Sequence, residues 1–284
     1  MEKHKGLSII SLILLVVISS SSCDLLGQEI EVSIEPTTVL IPATEIKPTI
    51  DEHIYSYNGS ERIYLLRIPL DLDDSKPAPV VFIFHGMEEG PRDMIKAGFN
   101  AVADQKNIVL VYPAVVSHSS TDYIEQILQD LDDFVNIDPS RIYAMGFSLG
   151  GKLAYHIACD LSDTFAAFAA VSGMAICGTS HNSERAVSII HIHGLGDTLV
   201  PYETGRYGMP PVDETISYWV QFNQCAISPL VDKTGKISHT VYSQCRDGAV
   251  IELYTIDGLG HKVPTKEISS AQVIWDFFDA HPKP

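Results

Sequence analysis

Residues 141–151 read Arg141-Ile142-Tyr143-Ala144-Met145-Gly146-Phe147-Ser148-Leu149-Gly150-Gly151, and they say more about the architecture than any other segment. A short apolar strand leads into Gly-x-Ser-x-Gly, and small residues then open a helix. This order predicts a sharp strand-to-helix turn that strains Ser148 and exposes its hydroxyl. Side chains at Gly146 and Gly150 would collide in so tight a turn. We therefore predict that Ser148 is a catalytic nucleophile; the alternative is an ordinary turn serine.

Apolar strands and helices alternate on both sides of this turn. The predicted strands are 53–57, 62–68, 80–84, 108–112, 141–147, 187–192 and 250–256, and the predicted helices are 91–104, 122–135, 149–159, 212–222 and 268–278. Asn58-Gly59 joins the first two strands as a hairpin turn. A continuous apolar run such as 80–84 is typical of a parallel strand covered on both faces. The sequence predicts an α/β fold with a doubly wound, mostly parallel sheet, in a single catalytic domain at residues 53–284.

A nucleophilic serine needs a histidine base and a carboxylate that orients this base. After a nucleophile on such a turn, the acid and then the histidine follow on loops at the carboxyl ends of later strands. Asp197 follows the strand that ends near His193, and His261 follows the last strand in a glycine-rich loop. We predict Asp197 as the acid and His261 as the base. Asp257 is the competing acid, but we expect it to be a structural turn residue.

Negative charge that develops on a substrate oxygen needs backbone N–H donors. We predict the first donor to be the N–H of Leu149, at the start of the helix after the nucleophile. The second is predicted from Met87, in the loop after strand 80–84, with Gly86 as the alternative. We interpret His85 as a residue that orients this loop. The remaining candidates are weaker, because His191 and His193 precede the acid and His156 lies on the helix.

The N-terminus predicts export. Residues 1–22 have a basic start, an apolar stretch and then small residues, which is typical of a secretory signal peptide. Because Cys23 follows directly, the segment resembles a bacterial lipoprotein signal, which implies lipidation of Cys23; the alternative is an ordinary secreted protein. Residues 23–52 contain three prolines and predict a spacer. We expect an extracytoplasmic protein, secreted or held at the cell surface or in the periplasm, with this anchor as its only membrane contact.

Charge and cysteine usage exclude other classes of function. The formal net charge of −17 argues against a nucleic-acid partner. No phosphate-binding glycine pattern and no Cys-x-x-Cys occur in the sequence, so we expect neither a nucleotide cofactor nor a metal site. The other four cysteines permit three disulfide pairings in an exported chain. We favour Cys159–Cys177 and Cys225–Cys245, because each pair brackets one local unit.

Four segments together resemble the secreted polyhydroxybutyrate depolymerase and feruloyl esterase family of α/β-hydrolases. They are 80–86, 138–151, 193–202 and 258–264, and the resemblance runs from about Tyr55 to the C-terminus. It implies an α/β-hydrolase fold and ester hydrolysis through an acyl-serine intermediate without a cofactor. It also supports the Cys225–Cys245 pairing. The substrates it implies are feruloyl or acetyl esters on polysaccharide, or short hydroxyalkanoate esters and oligomers.

Two departures from the family bear on the substrate. The segment 113–121 is short where many relatives carry an insertion, and no polymer-binding module follows the domain, which favours a soluble or partly soluble ester. Tyr202, Tyr207 and Trp219 are candidates for an acyl pocket, although packing in the core or at the rim is the favoured interpretation. Two alternatives stay open: a serine peptidase like prolyl oligopeptidase, which shares fold and triad, and a non-catalytic surface-binding lipoprotein.

Overall fold

The computed structural model describes residues 49–73, 75–115, 121–178 and 185–284. The predicted signal peptide at 1–22, the lipidation site Cys23 and nearly all of the predicted spacer at 23–52 lie outside the described residues, and they stay predictions. In the part of the chain that is described, no helix is long and apolar enough to cross a bilayer.

The described residues form one ten-stranded sheet with five α-helices. The strands are β1 (Asp51–Tyr57), β2 (Ser60–Arg67), β3 (Ala78–Phe84), β4 (Val109–Pro113), β5 (Ile137–Phe147), β6 (Ala167–Val171), β7 (Ser188–Gly194), β8 (Leu230–Thr234), β9 (Ile237–Tyr242) and β10 (Ile251–Ile256). The helices are α1 (Phe99–Lys106), α2 (Asp122–Leu131), α3 (Leu149–Asp160), α4 (Val212–Phe222) and α5 (Ser270–Ala280).

The strand order is β1-β2-β4-β3-β5-β6-β7-β10-β9-β8. The six strands from β4 to β10 in this order are parallel, and antiparallel pairs extend the sheet at both edges. The prediction of an α/β fold with a mostly parallel sheet is confirmed. Strand β5 lies in the middle of the sheet, so the residue that follows it emerges at the centre of the carboxyl edge.

Both faces of the sheet are buried at its parallel centre, as the apolar run in β3 predicts. Val80, Phe82 and Phe84 of β3 belong to one apolar cluster, which includes residues of α2, α3 and α4. Val81 and Ile83 belong to the other cluster, with residues of α1 and α5. Because successive side chains of a strand point to opposite faces, one strand supplies both cores. Each such side chain contributes roughly 1.5–3 kcal/mol when fully buried.

The prediction of one helix over 91–104 is wrong. A 3₁₀ helix at Pro91–Ala97 and the separate helix α1 occupy this region. Gly98 stands between them with a φ of 91°, in the left-handed region that interrupts a right-handed hydrogen-bond ladder. Helix α2 also ends at Leu131 instead of residue 135.

The hairpin of β8 and β9 was not predicted from the sequence. Its turn uses Gly235 at a φ of 59°, and the side chains of β8 are exposed along its whole length. The disulfide Cys225–Cys245 encloses this hairpin, and the disulfide Cys159–Cys177 joins the end of α3 to the segment after β6. These are the two pairings that the sequence favours. Disulfides that close loops of this size stabilise a fold by about 3 kcal/mol and fit an oxidising, extracytoplasmic compartment.

Candidate active site

Ser148 lies on the turn between β5 and α3. Its backbone has a φ of 56° and a ψ of −120°, a conformation that costs a non-glycine residue about 1–3 kcal/mol. A Cβ atom on Gly146 would collide with the carbonyl of Gly150, and one on Gly150 would collide with the carbonyl of Phe84. Both positions of the Gly-x-Ser-x-Gly pattern therefore require glycine. Gly173, which the sequence analysis did not single out, is required in the same way, since its Cβ would collide with the carbonyl of Ser148.

Three predicted site residues meet at this turn. His261 Nε2 lies 2.9 Å from Ser148 Oγ, and His261 Nδ1 lies 2.7 Å from Asp197 Oδ2. A carboxylate oxygen only accepts, so His261 donates its Nδ1–H to Asp197 and its Nε2 accepts the hydroxyl proton of Ser148. This is the arrangement in which a histidine can take a proton from a serine hydroxyl. The His261 ring also packs against Phe147, with 4.8 Å between the ring centroids.

Backbone N–H groups hold the carboxylate of Asp197. Its Oδ1 accepts the N–H of Leu199 at 2.9 Å and the N–H of Val200 at 2.8 Å. Only 4% of the residue is exposed, so these bonds replace water as partners of a buried carboxylate. One oxygen is thus committed to the backbone, and the other is left to orient His261.

The loops after β7 and β10 are bonded to each other. The Leu195 N–H donates to the Ile256 carbonyl at 3.0 Å, and the Gly196 N–H donates to the Leu259 carbonyl at 2.9 Å. A Cβ atom on Gly194 would collide with the Leu259 carbonyl, so glycine permits this close approach. This contact brings together two side chains that lie 64 residues apart in the sequence.

Asp257 takes no part in this arrangement. Its side chain is exposed, and its backbone N–H donates to the Lys236 carbonyl in the hairpin turn at 2.8 Å. The structure thus places the competing acid in a turn, on the side of the β8–β9 hairpin. The carboxylate that contacts His261 is that of Asp197.

The hydroxyl of Ser148 opens into a cleft of about 290 Å³, which is lined in part by Met87, Leu149, Tyr207 and His261. Of the three candidate pocket aromatics, only Tyr207 is among the lining residues. The Tyr202 hydroxyl donates to Asp213 at 2.6 Å, and Trp219 is buried in the core with its Nε1–H on the Ala175 carbonyl at 3.1 Å.

Ser148, Asp197 and His261 do not line the other large cleft of the described residues. A larger cleft of about 500 Å³ lies near the C-terminus and shares no lining residue with the Ser148 cleft. Within the described ranges, no group of three or more His, Cys, Asp or Glu side chains is arranged to hold a metal ion.

Both residues that are predicted to supply N–H donors line the same cleft as Ser148. Leu149 begins α3, and its N–H is among the N-terminal groups that have no acceptor within the helix. Met87 lies across the cleft in the loop after β3. The alternative donor is already engaged, because the N–H of Gly86 donates to Glu89 Oε2 at 2.8 Å.

A chain of buried polar groups continues behind the acid. The Tyr155 hydroxyl lies 2.9 Å from His191 Nδ1, and His191 Nε2 lies 3.2 Å from His193 Nδ1. His193 Nε2 lies 2.9 Å from the Val200 carbonyl, which fixes a proton on that nitrogen and sets the direction of donation from Tyr155 towards Val200. Sequence reasoning set both histidines aside. Their spacing of two residues on β7, which puts them on one face of the sheet, was the available signal.

Burial lowers the pKa of His193 and takes the pKa of His191 well below its usual value. In the unfolded chain these histidines bind protons below a pH of about 6.5, whereas the folded state resists protonation. We therefore expect the free energy of unfolding to fall as the pH falls below about 6.5, by at most about 1.4 kcal/mol per pH unit for each histidine that stays neutral in the folded state.

Urea unfolding at about pH 7.5 and about pH 5.5 measures this loss of stability. The variant His191→Leu removes one titrating group, so it should unfold with a shallower pH dependence than the wild type, whatever its absolute stability. An unchanged dependence would contradict the assignment of His191 as a buried neutral histidine.

The sheet order and the arrangement of this site fit an α/β-hydrolase fold. Residues 99–210 match the family model described as Phospholipase/Carboxylesterase. Within this class, the chain is similar to feruloyl and acetylxylan esterases.

The curated relatives include a bifunctional acetylxylan esterase/xylanase from Neocallimastix patriciarum. It is 27% identical over 210 residues, which are 70% of this chain and 31% of the relative. Feruloyl esterase C from Emericella nidulans is 27% identical over 178 residues, which are 58% of this chain and 64% of the relative. The matched region thus spans from about a third to two thirds of these relatives' own length.

The solved structures support the fold. The acetyl xylan esterase from Aspergillus awamori superposes with a TM-score of 0.64 at 14% identity, covering 82% of this chain and 98% of that chain. A ferulic acid esterase from the anaerobic fungus Anaeromyces mucronatus gives a TM-score of 0.54 at 16% identity, covering 84% of this chain and 92% of that chain.

Proposed function

We propose that the protein is a serine carboxylic ester hydrolase that works through an acyl-enzyme. One observation carries this proposal: the hydrogen-bonded series from Ser148 Oγ through His261 to Asp197, at the mouth of a cleft. The similarity to feruloyl and acetylxylan esterases supports the same reaction.

In the first half of the proposed reaction, Ser148 Oγ attacks the ester carbonyl carbon while His261 Nε2 takes the hydroxyl proton. The resulting imidazolium is stabilised by Asp197, whose Oδ2 accepts the Nδ1–H. The carbonyl oxygen becomes an oxyanion, and the N–H groups of Leu149 and Met87 bind it. When the tetrahedral intermediate collapses, the bond to the alcohol oxygen breaks, and His261 gives its proton to the leaving alcohol.

In the second half, water replaces the alcohol. His261 Nε2 takes a proton from the water, whose oxygen attacks the acyl carbon of the Ser148 ester. The same two N–H groups bind the second oxyanion, and the carboxylic acid leaves as the proton returns to Ser148 Oγ. The ester and one water molecule are the only reactants that these steps consume.

The rim of the cleft supports an acyl group with apolar surface. Met87, Leu199 and Tyr207 line the cleft and are 48%, 44% and 44% exposed, which is a large apolar exposure for side chains around a polar nucleophile. We propose feruloyl or acetyl esters on polysaccharide as the substrates, with short hydroxyalkanoate esters as the second class.

A panel of methyl ferulate, acetylated xylan and hydroxybutyrate oligomers tests the substrate class. We expect kcat/KM for methyl ferulate to exceed that for the hydroxybutyrate oligomers, because an aromatic acyl group buries more apolar surface against this rim. The variant Leu199→Asn makes the rim more polar, so it should reduce the ratio of kcat/KM for methyl ferulate to kcat/KM for the oligomers. A preference for the oligomers would move the substrate to the second class, and hydrolysis of none of the three would contradict the assignment.

A further inference from the structure

The loop after β3 holds Gly86 from both sides. The Gly86 N–H donates to Glu89 Oε2 at 2.8 Å, and the Gly86 carbonyl lies 2.8 Å from His85 Nδ1. The other ring nitrogen of His85 accepts the Val115 N–H at 3.0 Å, so the ring proton is on Nδ1 and His85 donates to the carbonyl. Both backbone polar groups of Gly86 are therefore committed.

The hydrogen bond between His85 and the Gly86 carbonyl sets the direction of the Met87 N–H. A peptide unit is planar and trans, so the N–H of Met87 points opposite to the carbonyl of Gly86. Since that carbonyl faces the His85 ring, the Met87 N–H faces away from His85. Met87 lines the cleft together with Ser148 and Leu149, which is where an oxyanion would form.

The loop needs restraint to keep this orientation. Glu88, directly after Met87, has a φ of 60°, a left-handed conformation that is unfavourable for a residue with a Cβ. Without a fixed partner on either side, the Met87–Glu88 segment would relax towards ordinary backbone angles. Glu89 follows immediately and supplies the side chain that reaches back to Gly86.

The Glu89 side chain also lies close to the nucleophile. The point where a Cβ atom of Gly86 would sit is 3.0 Å from Glu89 Oε2 and 3.2 Å from the Cβ atom of Ser148. Glu89 and Ser148 therefore lie on two sides of the same point at the cleft. A movement of the Glu89 carboxylate would change the surroundings of Gly86 next to the nucleophile.

We propose that Glu89 is a positioning residue for the oxyanion hole. By holding the Gly86 N–H, it keeps the Gly86–Met87 peptide in the orientation that His85 sets and presents the Met87 N–H to the reacting oxygen. In this role Glu89 acts through the backbone of the loop, although its side chain also lines the cleft. This inference rests on the proposed ester hydrolysis and names a further residue of that same site.

The variant Glu89→Ala tests this role. Negative charge on this oxygen is absent from the bound ester and develops on the way to the tetrahedral intermediate, so we expect kcat to fall by about ten- to a hundredfold while KM changes less than about threefold. Glu89→Gln keeps an oxygen that can accept the Gly86 N–H, so it should restore kcat to within about threefold of the wild type. Glu89→Asp keeps the charge but is one methylene shorter, so its kcat should fall towards that of Glu89→Ala.

The loop offers a matched control. Asp93 Oδ2 accepts the Gly90 N–H at 3.0 Å, which is the same contact with a backbone group three residues earlier, but Asp93 is not among the residues that line the cleft. Asp93→Ala should therefore leave kcat within about threefold.

Three results would overturn the role of Glu89: an unchanged kcat in Glu89→Ala, equal losses in the Gln and Ala variants, or an equal loss in Asp93→Ala. If Glu89→Ala does not fold, the comparison of Glu89→Gln with Glu89→Asp decides the question. Failure of the proposed function looks different, because the wild type would then hydrolyse no ester at all.

Discussion

Replacement of Ser148 by alanine is expected to lower kcat for a short-chain p-nitrophenyl ester by at least about 10⁴-fold. Without Oγ no acyl-enzyme forms, and His261 has no hydroxyl to deprotonate. The remaining rate would come from water attack assisted by the N–H donors, which survive because alanine keeps the backbone of the turn. The backbone of residue 148 does not depend on Oγ, because its N–H donates to the Val171 carbonyl and its carbonyl accepts the Lys152 N–H.

Steady-state kinetics and labelling with a fluorophosphonate probe measure this loss together. Ser269→Ala is the matched control, because Ser269 is exposed before α5 and makes no side-chain capping bond. The control should keep wild-type activity and labelling. Equal activity of wild type and Ser148→Ala would show that another residue attacks the ester.

Replacement of Asp197 by asparagine is the second large effect, with an expected loss of about 10⁴-fold in kcat. Asparagine has a single oxygen, and the N–H groups of Leu199 and Val200 bind the oxygen that faces the backbone. Its NH₂ group is then turned towards His261, where only an acceptor fits. The ring would adopt the other tautomer, with its proton on Nε2, and could not accept the proton of Ser148.

The same substitution at Asp257 gives the control. Asp257 carries its side chain into solvent and contacts the β8–β9 hairpin only through its backbone, so Asp257→Asn should keep kcat within about threefold. Both substitutions change the charge by one unit, and the two aspartates follow the neighbouring strands β7 and β10. A larger loss in Asp257→Asn than in Asp197→Asn would reverse the assignment of the acid.

The residues that form the site could be predicted from the sequence, because their positions after strands and their order along the chain identify them. Ser148, Asp197 and His261 each follow an apolar strand, and parallel strands end at the same edge of a sheet. The order of acid and base, together with the glycine-rich loop after the last strand, selected His261 among eleven histidines. The glycines of the turn were predictable for a similar reason, since tight turns leave few residue types to choose from.

Other features depend on contacts that no local pattern reveals. Glu89 looks like any charged residue of a surface loop until Gly86 is placed beside it. The break at Gly98 lies within a periodic apolar pattern that a single helix would also satisfy. The strands β8 and β9 are short, β8 is exposed and β9 is half-buried along its length, and neither carries the apolar run that marks a buried strand.

The β8–β9 hairpin affects the order in which the sheet unfolds locally. Spontaneous opening of a sheet begins at its free margin, where ladder bonds meet water. Strand β10, which leads to His261, is bonded to β7 on one side and to β9 on the other, and β8 is the margin. Fraying from this edge must therefore open β8 and β9 before it reaches β10, the strand that precedes His261. The hydrogen bond between His261 and Ser148 should therefore persist during local unfolding of the edge strands, for as long as the parallel centre of the sheet stays folded.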